Sequence, residues 1–309
     1  MSKVFTVAQV IVPIFVAIFL GLLAKRKQLL SDEENRGLQQ FVMKIGLPCV
    51  IFNSCLTADI GTESLGLMAM LLPFVLIATL WAFSARKKQF PHHNLPMLFC
   101  AQETGMLGIP LFMILFGVDQ AFRIGILDIT QAIIVYPVIG ILSANTGENP
   151  TIKSILKSVC TSPLLIMCAL GLTLNFSGLR DVLNGVGILG VITESTAFLA
   201  QPVSAIMIFS VGYNFSLDSR SRGTIFKIST IHFCLFAMFG LIIQAGLFLL
   251  PNVEPITRWS ILIYTTLPAS FLAPGMGRSD EDRTMASGVC SILTLACLIV
   301  FCIVAIMVA

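Results

Sequence analysis

Charge is scarce in this sequence. Only 11% of its 309 residues are Asp, Glu, Lys or Arg, where a water-soluble domain carries about a quarter. With 56% hydrophobic residues and a mean hydropathy of +0.93, the chain has more apolar surface than a soluble core can absorb. A bilayer can absorb it, at roughly 20 apolar residues per crossing helix. There is no CxxC pair among the nine cysteines, which lie mostly inside apolar runs. They read as small packing residues rather than disulfides or metal ligands. The absence of HExxH and of paired aspartates within the apolar runs argues against a zinc or aspartyl intramembrane protease. The net charge is +3, and there is no long basic tract, zinc-knuckle spacing or RNP-like motif, which excludes a nucleic-acid partner. No small-x-small cleavage site closes the first apolar run, which ends at Lys25-Arg26-Lys27. That run is expected to be an uncleaved first span.

The apolar runs predict ten spans, at about 5–24, 37–57, 64–85, 94–116, 121–143, 161–178, 188–213, 224–249, 257–276 and 284–308, with lipid as their surroundings. Loops after odd-numbered spans then carry fourteen Lys and Arg residues and the other set carries four, with Lys44 inside a span. Positive residues stay on the cytoplasmic side during insertion. The expectation is a multi-pass protein of the cell (inner or plasma) membrane with both termini extracytoplasmic.

A polar linker from Asn145 to Lys157 divides the spans into five and five. The halves are expected at 1–150 and 151–309. An odd number of spans per half forces the second half to enter the membrane in the opposite sense, the architecture of secondary transporters. Pro13 precedes Gly21 by eight residues in the first span, and Pro163 precedes Gly171 by eight in the sixth. Pro48 and Pro202 mark spans two and seven, and Pro110 and Pro268 mark spans four and nine.

Spans four and nine are the most informative. The fourth holds Gln102, Glu103, Thr104, Gly105, Gly108 and Pro110; the ninth holds Thr265, Thr266 and Pro268. Polar residues beside Gly and Pro at mid-span break helical hydrogen bonding. The freed backbone is tolerated at that depth only against protein or a wet cavity. Two such breaks in matching positions predict a substrate site. The alternative is a pair of proline kinks that only shape packing, which would have no need of the acid Glu103.

An ionisable residue near a span centre costs about 2.5–3.5 kcal/mol on insertion scales, so it persists when paired or used. Glu103 can carry a coupling H⁺ or ligate Na⁺, and Asp128, with Gln131 one turn on, is a second candidate. Lys44 can snorkel to the membrane edge, pair with Glu103 or Asp128, or contact an anion. Glu194 and His232 lie near span ends and read as interfacial and solvated.

Gly21-Leu22-Leu23-Ala24-Lys25, Leu29-Leu30-Ser31 and Leu47-Pro48-Cys49-Val50-Ile51-Phe52 resemble the opening pattern of the auxin efflux carrier family. Its malate-permease-like bacterial members are the branch in view. Thr104-Gly105-Met106-Leu107-Gly108-Ile109-Pro110-Leu111 is similar to its fourth-span motif, usually N-T-G-F-x-G-x-P. Ser162-Pro163-Leu164 with Gly171 and Leu174-Asn175, and then Leu267-Pro268-Ala269, resemble the second half. The resemblance implies an all-α fold of ten transmembrane helices in two inverted five-helix repeats, with crossed broken helices four and nine. It further implies a scaffold of spans 1, 2, 6 and 7, a mobile transport domain of spans 3–5 and 8–10, small organic-anion substrates and often a homodimer. The family's usual Asn before Thr-Gly is Glu103 here. An amide that would hydrogen-bond an anion has become an acid, so an anion-binding mode requires Glu103 protonated, or paired with Lys44 or a cation.

The expected function is a secondary transporter (permease) of a small organic anion such as a carboxylate. It would work by alternating access, coupled to H⁺ or Na⁺ or as a uniporter, with no other cofactor and no metal site. The alternative is a channel or sensor without coupled transport, although a channel would need a repeated filter or a charged ring. Gly185-x-Gly187-x-x-Gly190 fits a dinucleotide fingerprint, but no strand precedes it. His92-His93 and the run Arg278–Arg283 read as solvated loops, the latter capping span ten.

Overall fold

The computed structural model describes residues 3–56, 62–143, 161–215, 222–249 and 253–308. The linker expected at Asn145–Lys157, Cys160 and Arg220 lie outside them. The described residues form helices and no strands. In chain order they are α1 (Lys3–Lys27), α2 (Asp32–Phe41), α3 (Leu47–Leu56), α4 (Thr62–Lys88), α5 (Leu95–Cys100), α6 (Ile109–Phe116) and α7 (Ala121–Ser143). After the undescribed linker come α8 (Pro163–Phe176), α9 (Leu179–Gly185), α10 (Ile188–Ala200), α11 (Val203–Asn214), α12 (Arg222–Gly246), α13 (Pro255–Thr266) and α14 (Asp280–Val308).

Among the described residues, five segments are long and apolar enough to cross a membrane: Ser64–Lys88, Val118–Leu142, Ile188–Asn214, Arg222–Gly246 and Asp280–Val308. The α8–α9 pair makes a sixth if counted together, but it bends by 80°. The chain is thus a multi-pass membrane protein in which several apolar runs are interrupted rather than straight.

Proline causes most of the interruptions. A π-helical turn, Val42–Gly46, joins α2 to α3, and another, Thr104–Gly108, leads into α6. Each is followed by the same Gly-x-Pro pattern, Gly46-Leu47-Pro48 and Gly108-Ile109-Pro110. Proline has no N–H to give, and its ring crowds the carbonyl four residues back, here Lys44 and Met106. Widening the turn relieves the clash, and the amides of Leu47 and Ile109 reach back five residues to Val42 O and Thr104 O. Pro268 acts differently. A residue before proline is driven to extended backbone, and Leu267 at φ −60°, ψ 153° ends α13 there.

Helix contacts follow a crossed pattern. α1 packs along α11, and α3 packs along α8 and α10. Gly21 of α1 lies against the backbone of Phe209 and Tyr213, and Gly212 of α11 against Ile18. Gly171 of α8 lies against Phe52 and Cys55 of α3, where Cys55 Sγ is 3.6 Å from Cys168 Sγ.

Loops of like parity meet. At the end rich in Lys and Arg, Lys25 pairs with Asp32, and Tyr213 Oη donates to Leu30 O and Asp32 Oδ1 at 2.8 and 3.0 Å. The Lys25 bond, then that from Tyr213, holds the exposed Asp32 carboxyl below the usual carboxylate range. At the other end, Arg123 reaches Glu254 Oε2 at 2.5 Å. Ser54 Oγ there donates to Asp119 O at 3.1 Å and accepts from Phe122 N at 2.6 Å.

Ser31 begins α2 with a capping box, its Oγ accepting from Glu34 N while Glu34 Oε2 accepts from Ser31 N. Gly37 in the same helix has open space where a Cβ would stand. Gly37→Ala is therefore expected to stabilise the protein by roughly 0.5–1 kcal/mol, read as a small rise in the thermal unfolding midpoint in detergent.

Candidate functional site

The chain leaves α5 at Cys100 as extended backbone, passes Gln102 and Glu103, and re-enters a helix at Thr104. The extended Leu267–Ser270 segment after α13 runs antiparallel to it, with an isolated bridge between Gln102 and Ala269. Glu103 N donates to Pro268 O at 2.8 Å, and Ser270 N donates to Ala101 O at 3.1 Å. Two interrupted helices, 166 residues apart between Gln102 and Pro268 in sequence, thus satisfy each other's freed backbone.

Gln131 of α7 fastens this crossing. Its Oε1 accepts from Gln102 N and from Tyr264 Oη, both at 2.8 Å, and its Nε2 donates to Gln102 O at 2.9 Å. The same nitrogen lies 2.9 Å from Asp128 Oδ1 and 3.1 Å from Thr104 Oγ1. Thr104 Oγ1 donates to Asp128 Oδ1. The Gln102 amide, oriented by its neighbours with nitrogen toward span nine, donates to Pro268 O and Leu267 O at 3.0 Å each.

Glu103 is 8% exposed and caps the Thr104–Phe116 helix. Its Oε1 accepts from Met106 N at 3.2 Å and its Oε2 from Phe271 N at 2.5 Å. Neither the Glu103–Lys44 nor the Asp128–Lys44 pair is formed; among the described residues no cation pairs with either acid. Asp128 Oδ2 has no protein partner among the described residues, both bonds falling on Oδ1.

Glu103 and Asp128 line a cavity of about 450 Å³, together with Gln102, Thr104, Gly105 and Gln131. The rest of its lining includes Arg36, Gln39, Gln40 and Lys44 of span two and its approach, Tyr136 of α7, Ser162 and Asn214. Of the sequence-predicted residues, Lys44 lines the cavity and is exposed. Gly108, Pro110, Thr265, Thr266 and Pro268 lie beside the crossing but not on the cavity wall. Thr265 and Thr266 turn their hydroxyls back to Ile261 O at 2.9 Å and to Ile263 O at 2.9 Å, the usual habit of hydroxyls within apolar helices. At Gly108 a Cβ would lie 2.6 Å from Leu267 Cδ1, so its absence lets span nine approach. Arg36, Gln39, Asn214 and Tyr136 line the cavity without having been expected there: the first three stand at a span's edge and carry no signal of depth, and Tyr136 lies within α7, where an aromatic reads as ordinary packing.

Three polar positions differ from expectation. His232 is buried rather than interfacial, 1% exposed, with Phe99 and Phe236 ring centroids at 5.3 and 4.6 Å. His92 and Asp282 are buried rather than solvated. Asp282 accepts from His93 N, Arg278 N and Ser279 N, with His92 Nδ1 at 3.1 Å. An acid at a helix start that gathers backbone donors from two loops is sheltered by them. Glu194 is exposed, as expected. Gly187 adopts φ +75° between α9 and α10, so the glycine fingerprint is an interhelical turn.

A family described as membrane transport protein matches residues 6–308. An uncharacterized transporter of Methanothermobacter thermautotrophicus is 23% identical over 248 residues, covering 68% of this chain and 82% of the relative.

Proposed function

The chain belongs to the membrane transport protein family, as its auxin efflux carrier-like motifs imply, and from that premise we propose a secondary transporter of small carboxylate-bearing solutes working by alternating access. It is a membrane transporter by family and not an enzyme; substrate and mechanism are our reading. The observation that carries it is the antiparallel meeting of two interrupted spans beside a polar cavity. Such breaks at depth are tolerated where they serve a wet site.

Two inverted five-span halves, 1–150 and 151–309, account for the crossed packing. Gly21 follows Pro13 by eight residues and meets α11 of the other half; Gly171 follows Pro163 by eight and meets α3. In this reading spans 1, 2, 6 and 7 form the scaffold and the rest move. Positive charge places the Arg36 end in the cytoplasm and both termini outside. The cavity reaches Arg36, Ser162 and Asn214 at that end. At the other end Ser54 ties span two to the start of α7, which supports an inward-open state. Glu103, buried, and Asp128, half-buried, have no cation partner among the described residues and call for compensating positive charge, from H⁺, Na⁺ or the solute itself.

Counterflow in proteoliposomes tests the reading. Internal unlabelled carboxylate should drive saturable uptake of the labelled solute at least about tenfold above protein-free vesicles. Uptake equal to the protein-free control rejects transport, and non-saturable flux without trans-stimulation assigns a channel.

A further inference from the structure

In a crossing of broken helices, the backbone N–H groups at a half-helix start form the natural seat for a substrate anion. Here that seat is filled from within. The Glu103 carboxylate takes Met106 N of its own helix and Phe271 N of span nine. A bound carboxylate would have to displace it, and would meet Asp128 Oδ2, which faces no protein donor. Like charges brought together in a desolvated site repel strongly.

The positive charges of the cavity come from a different segment of the chain, residues 36–44. Arg36 and Lys44 line it and make no ion pair among the described residues. Their segment flanks the crossing, since Gly105 lies beside Met43, with a Cβ there 3.5 Å from Met43 Sδ. Yet Lys44 pairs with neither acid. The cavity thus carries two acids and two bases in its lining, unpaired with each other, within about 450 Å³, at the small end of the range for ligand pockets.

We infer that the solute is a small amino carboxylate, its ammonium group held by Asp128 and Glu103 and its carboxylate by Arg36 and Lys44. This rests on the transport reading above and names the solute within it. The solute's own ammonium supplies the positive charge that the acids require, so no coupling cation is needed. Both poles of a zwitterion are matched, whereas a plain mono- or dicarboxylate satisfies only Arg36 and Lys44.

Counterflow of a labelled panel decides it: neutral α-amino acids and short ω-amino acids against acetate, lactate, succinate and malate, each with Na⁺ or with choline. The wild-type protein should exchange an amino carboxylate at least about tenfold faster than its deaminated analogue, without Na⁺. Glu103→Asn and Asp128→Asn should each reduce that preference about tenfold or more, and Glu103→Asn should gain exchange of plain carboxylates. Wild-type exchange of plain carboxylates alone overturns the inference and leaves the transport reading standing. Exchange of plain carboxylates only with Na⁺ overturns it too, since the cation is then a separate ion. Unchanged preference in both variants removes the acids from the solute site. Absence of exchange for every solute, in protein that elutes as a single species, defeats the transport reading and this inference together. The wild-type panel stands whether or not either variant folds.

Discussion

Gln131→Leu should abolish exchange and lower the unfolding midpoint by roughly 5–10 °C. The leucine fills similar volume, so the loss is of hydrogen bonds. Gln102 N and O, Tyr264 Oη and Thr104 Oγ1 each give up a partner on another segment of the chain. Interhelical hydrogen bonds in membrane proteins contribute about 0.6 kcal/mol on average and up to about 1.7. Four of them therefore amount to about 2–5 kcal/mol, enough to loosen the crossing without preventing insertion. Gln131→Glu separates the roles of the amide. It keeps acceptors for Gln102 N and Tyr264 Oη but loses the donor to Gln102 O and adds an acid beside Asp128. It should insert normally and exchange poorly. Thermal unfolding by fluorescence-detected size exclusion, with counterflow on the same preparation, reads both. Wild-type exchange in Gln131→Leu would mean that the crossing is held by its backbone bridge alone.

Much of this site was legible from the chain because its chemistry is out of place. Gln102, Glu103, Asp128 and Gln131 are polar letters in apolar runs, and such letters persist only when satisfied or used. Periodicity linked Asp128 to Gln131 one turn on, and they do share a cluster with Thr104. The same logic over-read Thr265 and Thr266. A threonine can satisfy its hydroxyl on its own helix, so it signals depth without signalling a cavity. It also under-read Arg36 and Asn214, because a residue at a span's edge looks alike whether it faces solvent or the mouth of a cavity. Lys44 could snorkel, pair or bind an anion; only its neighbours decide, and they are contributed by distant segments of the chain.

The fold shows a similar division. Ten apolar runs are expected to span the membrane, and among the described residues five helices are long and apolar enough to do so, six with the bent α8–α9 pair. What hydropathy does not register is continuity. Val42–Gly46 lies within a run read as one continuous span, yet it widens to a π turn ahead of Gly-x-Pro, as Thr104–Gly108 does. The repeated Gly-x-Pro was present in the letters and is the signal that would have found the break in span two. The bend between α8 and α9 turns on Gly178, at φ +74°. His232 and Asp282 were misjudged for another reason. Distance from a span's end does not give burial when rings from α5, or donors from the loop before it, fold over the position.

Gly212→Leu should eliminate folded protein, reducing the monodisperse fraction to below about one tenth of wild type. A Cβ on Gly212 would overlap the carbonyl oxygen of Ile18, and one on Gly21 would overlap that of Phe209. These obstacles are backbone of the facing helix, which cannot rotate aside as a side chain can. α1 and α11 would have to part along their length. Close approach through small residues is what holds membrane helices together, since lipid is as apolar as leucine and offers no hydrophobic gain for association. Overpacking a core commonly costs about 1–3 kcal/mol even where side chains can yield, so a backbone obstacle belongs at or above the top of that range. Gly21→Leu should fail in the same way. Gly171→Leu, facing Phe52 O at 2.8 Å and Cys55 Cβ at 2.9 Å, should fail with them if spans one and six are equivalent members of two repeats. Gly190→Leu supplies the contrast, because its Cβ would meet nothing within 4 Å, and it should accumulate as wild type does. If Gly21→Leu and Gly212→Leu matched Gly190→Leu in yield and elution, α1 and α11 could not be in the contact described. The proposal that spans 1, 2, 6 and 7 form a scaffold would lose its physical basis.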